Sequence, residues 1–132
     1  MINNFLTGER KKLAEYWGIH ALLDCKSCDK NAITSESVIR EFVKELVKNI
    51  NMVAYGEPIL AHFATHDPSK GGYTLCQMIE TSLIDGHFVD VNGDAYISVH
   101  SCKTFDVKIV EQTIHKYFSP ENISTKVFYR LA

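Results

Sequence analysis

The sequence predicts an α+β fold, a two-layer sandwich in which two helices pack on one face of a largely antiparallel sheet. Only two segments carry apolar residues at helical spacing, and each has a single apolar side. The other apolar runs are of strand length, and several follow one another with only turns between them. Two such helices can cover only one side of the sheet.

The size and composition are those of one globular domain. The chain has 132 residues, of which 45% are apolar and 23% charged, with a net charge of −2. Because there is no basic excess, we expect no nucleic-acid partner. The apolar runs are shorter than the roughly 20 residues that span a bilayer, and the first residues lack an apolar signal core. We therefore expect a cytoplasmic protein with no membrane contact, made of a polar leader (1–15) and a core (16–132).

The first half of the core predicts a strand and then a helix. Tyr16–Cys25 is a compact apolar run, which indicates a strand, and the turn-forming residues Lys26–Asn31 follow it. Ser35 and Glu36 then supply a capping oxygen and a first-turn acid. The helix that follows has one broad apolar face, formed by Ile39, Phe42, Val43, Leu46, Val47 and Ile50.

The middle of the chain predicts strands separated by turns. A first strand is bent or interrupted at Gly56-Glu57-Pro58, because proline cannot donate to a sheet. Asn92-Gly93-Asp94 is a tight turn of the hairpin type. The predicted strands are Met52–Tyr55 with Ile59–Phe63, then Tyr73–Glu80, Leu83–Val91 and Ala95–Ser101.

The last part of the chain predicts a second helix and a closing strand. Asp106 is placed to cap the helix, and Ser119-Pro120 ends it. Thr125–Leu131 then forms the strand. The buried stripe of the helix consists of Val107, Val110, Ile114, Tyr117 and Phe118.

Cys25 and Cys28 form a CxxC pair, which is compatible with free thiols, a metal site or redox chemistry. A zinc site needs a second close pair, and Cys76 and Cys102 are far apart in the sequence. The histidines show no metal-ligand spacing. We therefore favour unpaired thiols, as is usual in the cytosol, and expect no metal.

Three reactive side chains occur near the middle of the chain. Ser82 lies at a break between two apolar runs, His87 follows five residues later, and Cys102 follows fifteen beyond that. Taken singly, they are compatible with a turn serine, a histidine at the edge of the core and a small buried hydrophobe. On neighbouring strands they form a candidate reactive cluster.

The spacing of these residues resembles that of the bacterial-type S-adenosylmethionine decarboxylase proenzyme family. That family has a serine at a cleavage point, a histidine at plus five and a cysteine at plus twenty, as Ser82, His87 and Cys102 have here. Gly93 falls where the family carries a glycine, and the stretch GIHALLDCKSCD is similar to its opening strand. The resemblance covers roughly residues 17–131.

The resemblance implies an enzyme that cuts its own chain between Thr81 and Ser82. Ser82 attacks the carbonyl of Thr81, and elimination assisted by His87 leaves a pyruvoyl cofactor at position 82, with no metal. The pyruvoyl carbonyl forms a Schiff base with the substrate amine and accepts electrons as CO₂ leaves. Cys102 returns a proton to the substrate carbon, and Thr74 stands where a family serine supports processing. The family also implies a homodimer of cleaved protomers acting on a small molecule, S-adenosylmethionine, for spermidine synthesis.

Two departures from the family pattern concern processing and the substrate. Thr81 replaces the usual glutamate before the cleaved bond, but that residue supplies only the attacked carbonyl. Val91 replaces a glutamate that holds the substrate ribose, which leaves Phe88 and Asp90 as candidate substrate-binding residues. The alternatives are a basic amino acid substrate (ornithine or arginine), a non-cleaved, non-catalytic dimeric member, and a thiol or zinc module at Cys25 and Cys28.

Overall fold

The structure, a computed structural model, describes residues 16–132 as one six-stranded antiparallel sheet with three helices. The predicted polar leader, residues 1–15, lies outside the described residues. The strands lie side by side in the order β2-β3-β4-β5-β1-β6. In chain order the elements are β1 Gly18–Lys26, α1 Lys30–Ile33, α2 Glu36–Asn49, β2 Ile59–Phe63, β3 Gly72–Ile79, β4 Ser82–Val89, β5 Ala95–Ser101, α3 Val107–Phe118 and β6 Asn122–Arg130.

The predicted α+β fold class is confirmed, and the six strands and two long helices follow one another in the predicted order. Both long helices begin at the predicted caps: the Ser35 hydroxyl accepts the Val38 N–H at 3.3 Å, and the Asp106 carboxylate accepts the Lys108 N–H at 2.9 Å. Every pair of neighbouring strands runs antiparallel. Within residues 16–132, no helix is long and apolar enough to cross a membrane.

Two local predictions were wrong. The segment predicted as a strand before Gly56 makes only one isolated bridge, between Ala54 and Ile79. Gly56 has a φ of +72°, which turns the chain, and Pro58 has no N–H to offer a neighbouring strand. A short helix, α1, forms where a turn was expected, because the Asp29 carboxylate accepts the Asn31 N–H and caps it.

The two faces of the sheet differ in what covers them. One face packs against the helices, and the rings of Phe42, Phe88 and Phe118 meet in this core with centroids 4.8 and 5.3 Å apart. Successive residues of a strand alternate between the faces, so the other set of side chains forms the face away from the helices, here called the open face. Five large apolar side chains are exposed on it: Ile59, Phe63, Met78, Tyr96 and Phe128.

The turn between β4 and β5 gives a test of the fold at Gly93. Gly93 has a φ of +80°, and a Cβ placed there would lie 2.7 Å from the carbonyl oxygen of Cys28. Gly56 has a similar φ of +72° but nothing within 4 Å of such a Cβ. We expect Gly56→Ala to cost about 1–2 kcal/mol of unfolding free energy for the positive φ. Gly93→Ala should cost roughly 1–3 kcal/mol more for the clash.

Denaturant unfolding of the two variants measures this difference directly. Equal losses in both variants would show that the contact between Gly93 and Cys28 does not constrain the turn.

Candidate active site

The predicted cleavage point lies at the tip of the β3–β4 hairpin. Ile79 and Ser82 pair across the hairpin, so only Glu80 and Thr81 form the loop, and Ser82 also pairs with Ser101 of β5. Ser82 has a φ of +155°, an angle that is sparsely populated by residues with a Cβ and costs on the order of 1–3 kcal/mol. Backbone strain is therefore located next to the bond between Thr81 and Ser82.

The Thr81 carbonyl, the group that Ser82 is predicted to attack, is held by the end of β5. The backbone N–H of Cys102 donates to this carbonyl oxygen at 3.0 Å. A donor aimed at a carbonyl oxygen polarises the carbonyl and stabilises negative charge that develops there. The same backbone contact brings Cys102, whose side chain is exposed, next to Ser82. The hydroxyl of Ser82 makes no hydrogen bond within residues 16–132.

His87 and Thr74 form a second pair, also on the β3–β4 hairpin. They lie directly opposite each other, with Thr74 Oγ1 and His87 Nδ1 2.9 Å apart. His87 Nε2 lies 2.6 Å from the backbone oxygen of Lys70. A carbonyl oxygen can only accept, so Nε2 carries the hydrogen and, in the neutral ring, Nδ1 accepts from the Thr74 hydroxyl. The ring is thus fixed from both sides.

Within one chain, the pair of Thr74 and His87 lies far from Ser82 and Cys102. His87 is five residues from Ser82 along β4, which corresponds to about 16 Å at the rise of a strand. His87 lies on the open face together with its partner Thr74. We call Thr81, Ser82 and Cys102 the cleavage end of the hairpin, and Thr74 with His87 the histidine end. A single chain thus brings the predicted serine and cysteine together but not the predicted histidine.

The two candidate substrate residues lie in different surroundings. Phe88 is completely buried and packs against Phe118 in the core. Asp90 lies just beyond β4, near the histidine end, and its Oδ2 is 2.6 Å from His62 Nε2. The other oxygen of Asp90, Oδ1, is buried and has no hydrogen-bond partner among the described residues. Sequence reasoning missed His62, because no spacing rule links it to Asp90 across two strands.

Sequence reasoning also missed a pair of histidines on the open face. His20 of β1 and His100 of β5 are opposed in the sheet, and their rings stack with centroids 4.7 Å apart. His20 Nε2 lies 2.8 Å from the Ser98 hydroxyl. Burial, with a smaller contribution from His100, lowers the pKa of His20. Burial also raises the pKa of the nearby Asp85 carboxyl, so both groups favour their neutral forms more than in water.

Two cavities lie next to the end of β5. One, of about 500 Å³, is lined by Trp17, His100 and Arg130 together with the last two residues of the chain. The other, of about 210 Å³, is lined by Cys102 and by the segment that leads into α3. Cys102 is therefore reachable from a space large enough for a small-molecule group.

The CxxC pair lies in the core rather than in a cavity. Cys25 and Cys28 are both buried. Burial raises the pKa of the Cys25 thiol to about 12 and that of the Cys28 thiol to about 11. The thiolate is the nucleophilic and metal-binding form, so both thiols are poorly suited to redox or zinc chemistry. Across residues 16–132 no group of three side chains is arranged to hold a metal ion.

A sequence profile of the S-adenosylmethionine decarboxylase family matches residues 19–131. The chain belongs to this family. Its structure is similar to the crystal structure of the adenosylmethionine decarboxylase from Aquifex aeolicus VF5, with a TM-score of 0.73 and 23% sequence identity. The match covers 89% of this chain and 92% of the Aquifex chain, which shows that the two share a fold. No match was found among curated proteins.

The differing environments of the cysteines give a test by thiol labelling. In the native decarboxylase-family chain we expect exposed Cys102 to react rapidly with a thiol reagent. Cys25 and Cys28 should react only after unfolding, because burial and a raised pKa both suppress the thiolate. Mass spectrometry of labelled peptides gives the rate at each site, and Cys102→Ser serves as the control. Rapid native labelling of Cys25 would contradict a purely structural role for this cysteine.

Proposed function

We propose that this chain is a pyruvoyl-dependent S-adenosylmethionine decarboxylase, which cuts itself between Thr81 and Ser82 and supplies the aminopropyl donor for spermidine synthesis. The observation that carries the proposal is the geometry at this bond. Ser82 has a strained backbone and a hydroxyl that is unbonded within residues 16–132, and the Thr81 carbonyl on the other side of the bond accepts a hydrogen bond from the Cys102 N–H. Unpaired, buried cysteines suit the reducing cytoplasm, where we place the enzyme.

The residues present fit the formation of a pyruvoyl group at position 82. Attack of Ser82 Oγ on the Thr81 carbonyl carbon breaks the peptide C–N bond and forms an ester, and the Cys102 N–H stabilises the oxyanion on the way. Loss of the Ser82 α-proton to a base then expels the Thr81 carboxylate as the new end of the upstream fragment. Addition of water releases ammonia and leaves the pyruvoyl group at the start of fragment 82–132.

Turnover uses the same end of the hairpin. Once formed, the pyruvoyl group supplies a carbonyl that takes up the substrate amine and accepts the electrons released with CO₂. Cys102 is exposed, lines a cavity and lies next to position 82. Its thiol is therefore placed to return a proton to the substrate carbon from which CO₂ has left.

A homodimer is proposed because the histidine end lies about 16 Å from the cleavage end within one chain. The open face has exposed apolar side chains, and no helix of residues 16–132 lies over it, as expected for a surface that packs on a second copy. Consider a two-fold axis that lies parallel to the sheet and crosses β4 at right angles, midway between its ends. The open faces of the two copies then pack on each other, and the β4 strands run in opposite directions. The histidine end of the partner subunit then lies over the cleavage end of β4, so that each dimer contains two composite sites.

The substrate proposal depends on Asp90. Val91 stands at the position of the family glutamate, and its side chain is exposed. Asp90 is held by His62 through Oδ2, and its side chain remains one-third exposed (33%), so the carboxylate can accept a further hydrogen bond from a ribose hydroxyl. Phe88, near the end of β4, points into the core and supports the segment around Asp90 from there. The absence of a glutamate at position 91 keeps ornithine or arginine as the second candidate substrate.

The first prediction concerns processing. Purified protein should resolve into fragments 1–81 and 82–132, the second beginning with a pyruvoyl group. Ser82→Ala should stay as one intact, folded chain, because the nucleophile is lost and little volume changes. Intact-mass measurement after incubation at neutral pH decides between these states. A wild-type chain that stays uncut and folded would instead support the non-cleaved, non-catalytic alternative.

Cys102→Ala gives the matched control for processing, because it keeps the backbone N–H that donates to Thr81 but removes the thiol. This variant should still be cut and should lose most CO₂ release. Turnover at the wild-type rate would show that Cys102 does not protonate the substrate carbon.

The second prediction tests whether the site is shared between two chains. Ser82→Ala and His87→Ala should each fail to complete cleavage alone. Co-expressed, they form mixed dimers in which the His87→Ala chain contributes Ser82 and its partner contributes an intact histidine. We expect the His87→Ala chain, and only that chain, to be cut in these dimers, and tags of different mass identify it. If neither chain is cut in the mixture, His87 does not act across the proposed interface.

The third prediction concerns the substrate. CO₂ release should be measured from S-adenosylmethionine, ornithine and arginine side by side. With S-adenosylmethionine as the substrate, Asp90→Asn should raise the apparent Michaelis constant by roughly one to two orders of magnitude, since a charge-assisted hydrogen bond contributes about 1.5–3 kcal/mol. Self-cleavage should be unchanged in this variant. Strong activity that is insensitive to Asp90→Asn would remove Asp90 from the ribose site.

A further inference from the structure

A small hydroxyl network holds the side chain of Thr81, the residue that precedes the proposed cleavage point. Ser101, the last residue of β5, is completely buried. Its hydroxyl donates to the Thr81 hydroxyl at 2.7 Å and accepts the backbone N–H of Lys103 at 2.9 Å. The Thr81 hydroxyl in turn points to the sulfur of Met52 at 3.3 Å. Thr81 is therefore held through both its side chain and its carbonyl oxygen.

We infer that Ser101 is a positioning residue for self-cleavage, acting through Thr81 to hold the attacked carbonyl in place. The inference rests on the proposed function, because it concerns the rate at which the bond before Ser82 is cut. Ser101 does not touch the reacting atoms with its side chain. Its contribution is to fix the hydroxyl of Thr81, while the neighbouring Cys102 N–H fixes the carbonyl of the same residue.

The location of Thr81 explains why a second anchor matters. Thr81 is in a two-residue hairpin loop, outside the ladder of backbone hydrogen bonds that joins β3 to β4. Attack by Ser82 Oγ needs the carbonyl carbon at a fixed distance and angle, and a displacement of about 1 Å can lower a rate by two orders of magnitude. One hydrogen bond to the carbonyl oxygen still allows the peptide plane to rotate about it. The side-chain contact to buried Ser101 removes that freedom.

The network is also specific to threonine or serine at position 81. A hydroxyl there can accept from Ser101 and donate towards Met52 at the same time. A carboxylate can only accept, and it would be placed beside the buried Ser101 and the Met52 sulfur. Thr81 and Ser101 thus form a matched pair in this chain.

The test measures the cleavage rate of full-length chains made by cell-free synthesis, followed by intact-mass spectrometry. We expect Ser101→Ala and Thr81→Val each to slow cleavage by about tenfold, the loss of roughly one hydrogen bond. Thr81→Ser, which restores the hydroxyl, should be cut at nearly the wild-type rate. The double variant Ser101→Ala/Thr81→Val should be within about twofold of the slower single variant, because both changes remove the same contact.

Two controls separate positioning from a loss of stability. Thr113→Val removes another buried hydroxyl with two partners, Asn49 and the Ile109 carbonyl, far from the cleavage end, and should leave the rate unchanged. Melting temperatures of all variants show whether a slow chain is folded. Hydroxylamine, which cleaves esters, should not speed the cutting of Ser101→Ala, because the defect precedes ester formation.

The outcomes separate this inference from the proposed function. A wild-type chain that is never cut overturns both. If the wild type is cut, the inference is wrong when Ser101→Ala is cut at the wild-type rate, or when Thr81→Ser is as slow as Thr81→Val. It is also wrong when hydroxylamine releases an accumulated ester from Ser101→Ala, since that would place the defect after the attack by Ser82.

Discussion

Much of this structure depends on the fact that the helices cover only one face of the sheet. Apolar residues of the strands on that face build the core around Phe42, Phe88 and Phe118. Successive side chains of a strand point to opposite faces, so every second strand residue lies on the open face. Because β4 has both kinds of position, it contributes Phe88 to the core and His87 to the open face. The same alternation therefore fixes the fold and distributes the reactive groups.

At the cleavage end, a paired sheet holds the backbone of Ser82 in a strained conformation. Ser82 belongs to a strand that is paired on both sides, with β3 and with β5. These ladders, together with the Cys102 N–H on the Thr81 carbonyl, resist relaxation of the unusual φ at Ser82. In the proposed reaction this strain is released when the peptide bond is exchanged for an ester. Stability of the sheet and reactivity of one bond are thus linked physically.

The open face combines apolar side chains with several polar groups that already have partners. His20 contacts Ser98, and His87 is held by Thr74 and by the Lys70 carbonyl. Polar groups with partners in their own chain can be buried at an interface at a lower cost than bare ones. In the proposed dimer, burial of the apolar residues drives association. The hydrogen-bonded histidines can be buried in the interface at little cost.

The sequence by itself determined most of the elements and indicated the family. Capping residues, helical stripes and the Gly93 turn are local signals, and they gave the α+β class, the element order and the start of both long helices. The strand before Gly56 was predicted wrongly because its apolar residues satisfy the local pattern, whereas in the structure the segment meets only the end of β3, through the bridge between Ala54 and Ile79. The spacing of Ser82, His87 and Cys102 indicated the family, since such spacing is a property of the chain itself.

Only the tertiary structure decided which of these residues meet. The pairing of β4 with β5 brings the N–H of Cys102 and the hydroxyl of Ser101 to Thr81, a contact between residues about twenty positions apart that no local rule specifies. The extended geometry of β4 separates His87 from Ser82, although the two are close in sequence. Burial in three dimensions likewise makes Cys25 and Cys28 core residues. In each case the outcome depends on how the strands pair and how deeply a residue is buried. Neither quantity can be read from the order of residues along the chain.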